Sequence, residues 1–159
     1  MIDHPIDAVY NERSKILILG SFPSVKSRES GFFYGHPQNR FWRVLAAVFE
    51  DTVPATVEEK KHFLAAHRIA LWDVVASCRT RGSADSSICD VVPNDIAALI
   101  AGRDIRAVFT NGKTAQALYD KHIRSTLDIP AICLPSTSPA NAAWSAEKLT
   151  EAWSILRNP

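Results

Sequence analysis

The run Phe32-Phe33-Tyr34, with Phe22 before it and His36 and Asn39 after it, is where this chain's residue types first suggest chemistry. Aromatic faces hold flat ligands, and amides and hydroxyls orient them. Ser21, Ser24 and Asn39 supply such polar groups within the same stretch. Lys26, Arg28, Arg40 and Arg43 surround them with only Glu29 in opposition, and Arg79 and Arg81 form a second basic loop near Asp85. The chain as a whole is nearly neutral, with 18 basic and 17 acidic residues and a net charge of +1. Clustered cations on a neutral protein suit an anionic partner met locally, as in reading one nucleotide, rather than the wrapping of a duplex.

Other chemistries are excluded by what is missing. No Gly-x-Gly-x-x-Gly follows the first strand and no Walker lysine motif occurs, so dinucleotide and triphosphate sites are not expected. Histidines 4, 36, 62, 67 and 122 and the cysteines Cys78, Cys89 and Cys133 lack metal-ligand spacing. We therefore expect neither metal nor cofactor, and read Cys133 as a small buried residue in a strand. Ser21, Ser24 and Ser136 lie in no Gly-x-Ser-x-Gly elbow. Asp73 is an acid inside an apolar run, open to a catalytic or a structural reading. With 159 residues and 47% hydrophobic content, residues 1 to 159 are expected to form one domain. No apolar run approaches the roughly twenty residues of a membrane span. The start Met1-Ile2-Asp3-His4 does not read as a signal peptide, so a cytoplasmic location is the default expectation.

The elements that must position these residues alternate. Residues 1 to 14 read as a polar lead-in, and 15 to 19 as a buried strand entering Gly20-Ser21-Phe22-Pro23-Ser24. A helix is predicted over 38 to 49, and Thr56-Val57-Glu58-Glu59 has the pattern of a capping box for a second, through 67. Ile69 to Val75 reads as one strand, followed by a long loop over 76 to 93 that carries Arg79, Arg81 and Gly82. Asn94 can cap a helix over 95 to 101. A strand over 106 to 110 turns through Asn111-Gly112 into a helix over 113 to 122, and a strand over 131 to 134 enters Pro135 to Asn141 before a last helix over 145 to 156. Strand–helix alternation argues an α/β fold with a parallel sheet covered on both faces. Every unusual loop follows a strand, so one carboxyl edge of the sheet collects the special residues, where open α/β sheets bind ligands. The connection from 20 to 37 is much longer than the usual two to six residues or so.

Three strings in that edge resemble a known family: Gly20-Ser21-Phe22-Pro23-Ser24, Tyr34-Gly35-His36-Pro37-Gln38-Asn39-Arg40-Phe41-Trp42, and Leu134-Pro135-Ser136-Thr137-Ser138-Pro139. Together they resemble the uracil-DNA glycosylase superfamily, and within it the hypoxanthine-DNA glycosylase branch, with mismatch-specific uracil glycosylases as cousins. The resemblance implies a three-layer α/β/α fold with a central four-stranded parallel sheet. It also implies a monomeric enzyme that flips a deaminated base out of DNA and cleaves its N-glycosidic bond. The mismatch-specific relatives carry a water-orienting Asn where this chain has Phe22, so the resemblance passes that role to Asn39, which can hold a water through its carbonyl. It further implies stacking of the base on Phe22 and Tyr34. Ser21 and Asn111 border or read the base, although Asn111-Gly112 also suits a plain turn. Ser21, Ser24 and Gly35 are the small residues expected to open a purine slot. Ser24, Ser136, Thr137, Ser138, Pro139, Ala140 and Asn141 are expected against the DNA backbone, with Lys26, Arg28 and Arg40 on phosphates. Phe32 and Phe33 read as core or loop anchors. Two rivals stand beside this reading: a mismatch uracil or thymine glycosylase, and a non-catalytic nucleotide-binding module.

Overall fold

The structure is a computed structural model, and it describes residues 1–81 and 85–159. Among the described residues the strands are β1 (Ile2–Asp3), β2 (Ile16–Gly20), β3 (Ile69–Asp73), β4 (Val75–Arg79), β5 (Cys89–Pro93), β6 (Ala107–Asn111) and β7 (Ala131–Leu134). The helices are α1 (Val25–Ser30), α2 (Phe41–Val48), α3 (Val57–Ala66), α4 (Ile96–Ile100), α5 (Lys113–His122), α6 (Arg124–Leu127) and α7 (Ala146–Trp153). The central sheet is four-stranded and parallel, in the order β3-β2-β6-β7.

Strand β2 is apolar at successive positions because both of its faces are covered. Ile16 and Ile18 face a cluster built from Phe33, Phe41, Leu45, Leu64, Leu149 and Trp153. Leu17 and Leu19 face the opposite cluster of Ile96, Leu99, Tyr119 and Ile123. Leu17, Ile18 and Leu19 are fully buried, each contributing about 1.5–3 kcal/mol of hydrophobic stabilisation. The expected three-layer α/β/α arrangement follows, with α2, α3 and α7 on one face and α4 and α5 on the other. No helix among the described residues is long and apolar enough to cross a membrane.

The expected capping box is present, with Thr56 and Glu59 each accepting from the other's backbone N–H. Several other expectations are corrected. The lead-in is structural: β1 pairs antiparallel with β4, and Val9 bridges Leu71. The run from Ile69 to Val75 is two strands, broken at Val74, whose N–H turns to the carbonyl of Gly20. The 76–93 loop holds most of β4 and all of β5, which close a second, antiparallel sheet with β1 in the order β1-β4-β5; its Gly82 lies outside the described residues. The loop after β2 contains α1, capped by Ser24 and ended by Gly31 in the left-handed region. Helix α2 starts at Phe41 instead of Gln38, and α4 is capped by Asp95 instead of Asn94. The Asn94 amide instead donates to the carbonyls of Asp73 and Val75, bracing the break between β3 and β4. The last helix ends at Trp153 and continues as a 3-10 turn over Ser154–Arg157. Cys133 is exposed on the edge strand β7, whereas Cys78 is the buried cysteine.

Candidate active site

A cavity of about 330 Å³ opens at the carboxyl edge of the central sheet. Three strands end at its wall, β2 at Gly20, β3 at Asp73 and β6 at Asn111, and the loop following β7 adds Ser136 to Ala140. The long loop after β2 contributes Ser21 to Ser24, Tyr34, His36 and Asn39. The sequence-marked loops therefore converge.

Asp73 is 3% exposed. Its Oδ2 lies 2.7 Å from His4 Nε2. Its Oδ1 lies over Gly20, where an added Cβ would collide with it and sit 2.9 Å from the Tyr34 hydroxyl. Gly20 is thus the floor on which a carboxylate and a phenol meet. Tyr34 itself has φ 53, a left-handed conformation that costs a non-glycine residue about 1–3 kcal/mol and marks functional positions. That backbone turns the ring onto Phe41, stacked at 3.9 Å between centroids and 20° between planes. Phe41 is fully buried, so one face of Tyr34 is taken and the other is what the ring can offer the cavity. The Tyr34 hydroxyl is buried beside Asp73 and Asn111 without a well-formed hydrogen bond to a described residue. Burial, reinforced by the charge of Asp73, pushes its phenol far above the ordinary value, so it remains an O–H donor.

A chain of hydrogen bonds ties the other walls together. Asn111 Nδ2 donates to Thr137 Oγ1 at 3.0 Å, and Thr137 Oγ1 donates to Asn39 Oδ1 at 2.9 Å. Asn111 Oδ1 accepts from Thr137 N, and Asn39 Oδ1 also accepts from Phe41 N. Thr137 is fully buried. Asn111 therefore holds the loop after β7 while also lining the cavity, where its position suggested a base reader. The turn reading also holds, because Gly112 follows at φ +97 with Ser136 packed against it. Asn39 spends its carbonyl on two protein donors, so the water-holding carbonyl expected of it is occupied and its amide hydrogens are what it can present.

Residues 8–157 match the sequence profile of the uracil DNA glycosylase superfamily. The chain belongs to that superfamily. It is 35% identical to a hypoxanthine DNA glycosylase of Methanosarcina acetivorans over 99% of this chain and 100% of that one. A hypoxanthine DNA glycosylase of Methanosarcina barkeri is 35% identical over 66% of this chain and 68% of its own. A solution NMR structure from Methanosarcina acetivorans, described as a candidate uracil DNA glycosylase, superposes with a TM-score of 0.81 at 32% identity, over 99% of this chain and 100% of that one.

In this glycosylase the remaining expected residues divide. Phe22 lines the cavity, edge-on to His4 and with the Arg28 guanidinium 5.6 Å from its ring centre. Ser21 is buried and donates to Asp85 at 3.0 Å. Asp85 is exposed as a residue, yet withdrawal of its carboxyl from water raises its pKa against the lowering effect of that Ser21 bond. Ser136, Ser138 and Asn141 are joined by bonds within their own loop, and Pro139 and Ala140 stand exposed at the rim. Ser24 caps α1, and Lys26 is exposed beside Glu29.

Arg40 does not reach outward for phosphate. Its guanidinium donates to the carbonyls of Ser138 and Asn141, each at 3.1 Å, and of Trp144, while its backbone N–H donates to Thr137 O. Gly35 packs against Ser30 Oγ and does not line the slot. Phe32 and Phe33 are core, as expected. His4 and Asp85 went unmarked: a lone His in a polar lead-in and a lone Asp in a loop carry no pattern. The signal for Asp73 was its place inside an apolar run.

Proposed function

We propose that this glycosylase excises hypoxanthine from DNA, acting as a single chain on one extruded nucleotide. A flipped nucleotide enters base first, because its sugar stays joined to the strand outside. The closed end of a pocket thus meets the far edge of the base, and its mouth meets the sugar. The observation that carries the reading is the depth order of polar groups. Buried Asp73 and the Tyr34 hydroxyl lie on the Gly20 floor, whereas Asn39 is half-exposed and Pro139 and Ala140 are exposed.

A carboxylate only accepts hydrogen bonds, so Asp73 calls for a base that presents a ring N–H, and hypoxanthine offers N1–H beside its carbonyl. The open face of Tyr34 stacks on the purine. As the C1′–N9 bond breaks, its electron pair leaves with the base. A water oxygen bonds to C1′, and the proton released ends on the departed base through solvent. The Asn39 amide hydrogens donate toward the charge gathering on that base, which is catalysis by placed dipoles. These steps call for no metal or cofactor. Adenine would set its bare N1 against the Asp73 lone pairs, and a buried mismatch of this kind rejects a ligand by about 10⁴. Uracil has the same N–H edge on a smaller ring and leaves the Ser21 side of the slot unfilled.

The test is single-turnover incision of duplexes carrying one hypoxanthine, uracil, xanthine or adenine. Hypoxanthine should be removed fastest and adenine hardly at all, and Ser21→Leu should slow hypoxanthine more than any pyrimidine. Faster removal of uracil than of hypoxanthine would sink the purine reading in favour of a uracil or mismatch enzyme. Binding without incision of any of the four would leave a non-catalytic module.

A further inference from the structure

We propose that His4 is a positioning residue for excision: it fixes the plane of the Asp73 carboxylate against the base edge. The inference rests on the role given to Asp73 above. The χ2 torsion of an aspartate is broad and nearly two-fold, so nothing intrinsic to the side chain holds its oxygens in place. His4 supplies the missing restraint. Its Nε2 lies 2.7 Å from Oδ2, with the two side chains only 4% and 5% exposed, and this leaves Oδ1 directed over Gly20. The ring is itself held on several sides. Ile6 N–H donates to Nδ1 at 3.2 Å, Phe22 meets it edge-on at 5.9 Å, and Phe33 lies tilted at 6.0 Å. The His4 backbone N–H donates to Ala76 O at 2.8 Å, continuing the pairing of β1 with β4.

The tautomer follows from those contacts. Because Nδ1 accepts from a backbone N–H, the ring hydrogen sits on Nε2 and points at the carboxylate. The segment before β2 therefore backs the pocket, with His4 behind the lining residues Asp73 and Phe22.

His4→Phe keeps the ring packing and removes the donor, whereas His4→Gln restores an N–H at nearly the same reach. We expect His4→Phe to slow single-turnover removal of hypoxanthine by up to about 10²-fold, the scale of a misplaced reacting group. Its affinity for a duplex with an abasic site should stay within about threefold, since one mislaid carboxylate adds no phosphate contact. His4→Gln should recover most of the rate. A wild-type rate in His4→Phe overturns the proposal, and so do equal losses in both variants or a parallel loss of DNA affinity and melting temperature. If His4→Phe does not fold, His4→Ala replaces it under the same criteria. If the wild type releases a different base, the substrate reading fails by itself, and the same comparison on that base still decides the role of His4.

Discussion

Asn39 gives its carbonyl oxygen to Phe41 N–H and the Thr137 hydroxyl, so what it does for a bound nucleotide it does through its amide hydrogens. Asn39→Ala should lower single-turnover excision by about 10²–10³, the effect of losing one placed donor, with DNA affinity changed only a few fold. Full activity in that variant would pass the chemistry to Asp73. Gly20→Ala should act through its neighbours, since a methyl group there forces apart Asp73 Oδ1 and the Tyr34 hydroxyl. We expect excision to fall by about 10²-fold while circular dichroism shows an intact fold; an unchanged rate would mean that the two groups need not meet. At this scale the types of the site residues were legible in the sequence and their orientations were not. Asn39 and Asn111 are marked by position, but which amide atom each presents depends on Thr137, a residue far along the chain.

The loop after β7 is shaped by Arg40 from the start of α2. Its guanidinium satisfies the carbonyls of Ser138, Asn141 and Trp144, and hydrogen bonds to a charged group contribute about 1.5–3 kcal/mol each. Arg40→Ala should cost about 2 kcal/mol or more in urea unfolding and weaken DNA binding by loosening the loop. Its salt dependence should match the wild type, because no phosphate contact is lost; a slope lower by about one would restore the phosphate role. Elements buried on two faces, such as β2 and β6, were plain in the sequence because their apolar runs are continuous. Strands β4 and β5 were not, because Ala76-Ser77 and Asp90 interrupt the pattern and β5 is largely exposed. Helix α1 was hidden because VKSRES buries only Ser27 and so shows no apolar stripe.

Across the whole molecule the charge is balanced, and several cations are already engaged: Arg40 with carbonyls, Arg79 with Asp90 at 3.3 Å, and Arg106 with Asp104 at 2.9 Å. Lys26 is exposed beside Glu29 on α1, Arg28 lies over Phe22 of the cavity wall, and Arg43 is exposed on α2. Binding should therefore release few counterions, with a slope of log K against log salt of about −2 to −3, at roughly −0.9 per phosphate. Lys26→Ala should make it shallower by about one for any DNA sequence. A slope near −10 would reveal an extended basic footprint that these residues do not form.

The bonds that close the pocket join distant parts of the chain. His4 and Asp73 are 69 residues apart, Asn39 and Thr137 98, and Arg40 and Trp144 104. Contacts of such long range wait on the loop-closure entropy of everything between them. Strand β1 cannot pair until β4 exists, and the Thr137 bond to the Asn39 carbonyl waits on a residue 98 positions away. A ribosome-bound or truncated chain would bury hydrophobic surface long before it could touch a nucleotide productively. Competence to cut a glycosidic bond should therefore appear only after the loop following β7 has closed on Asn39.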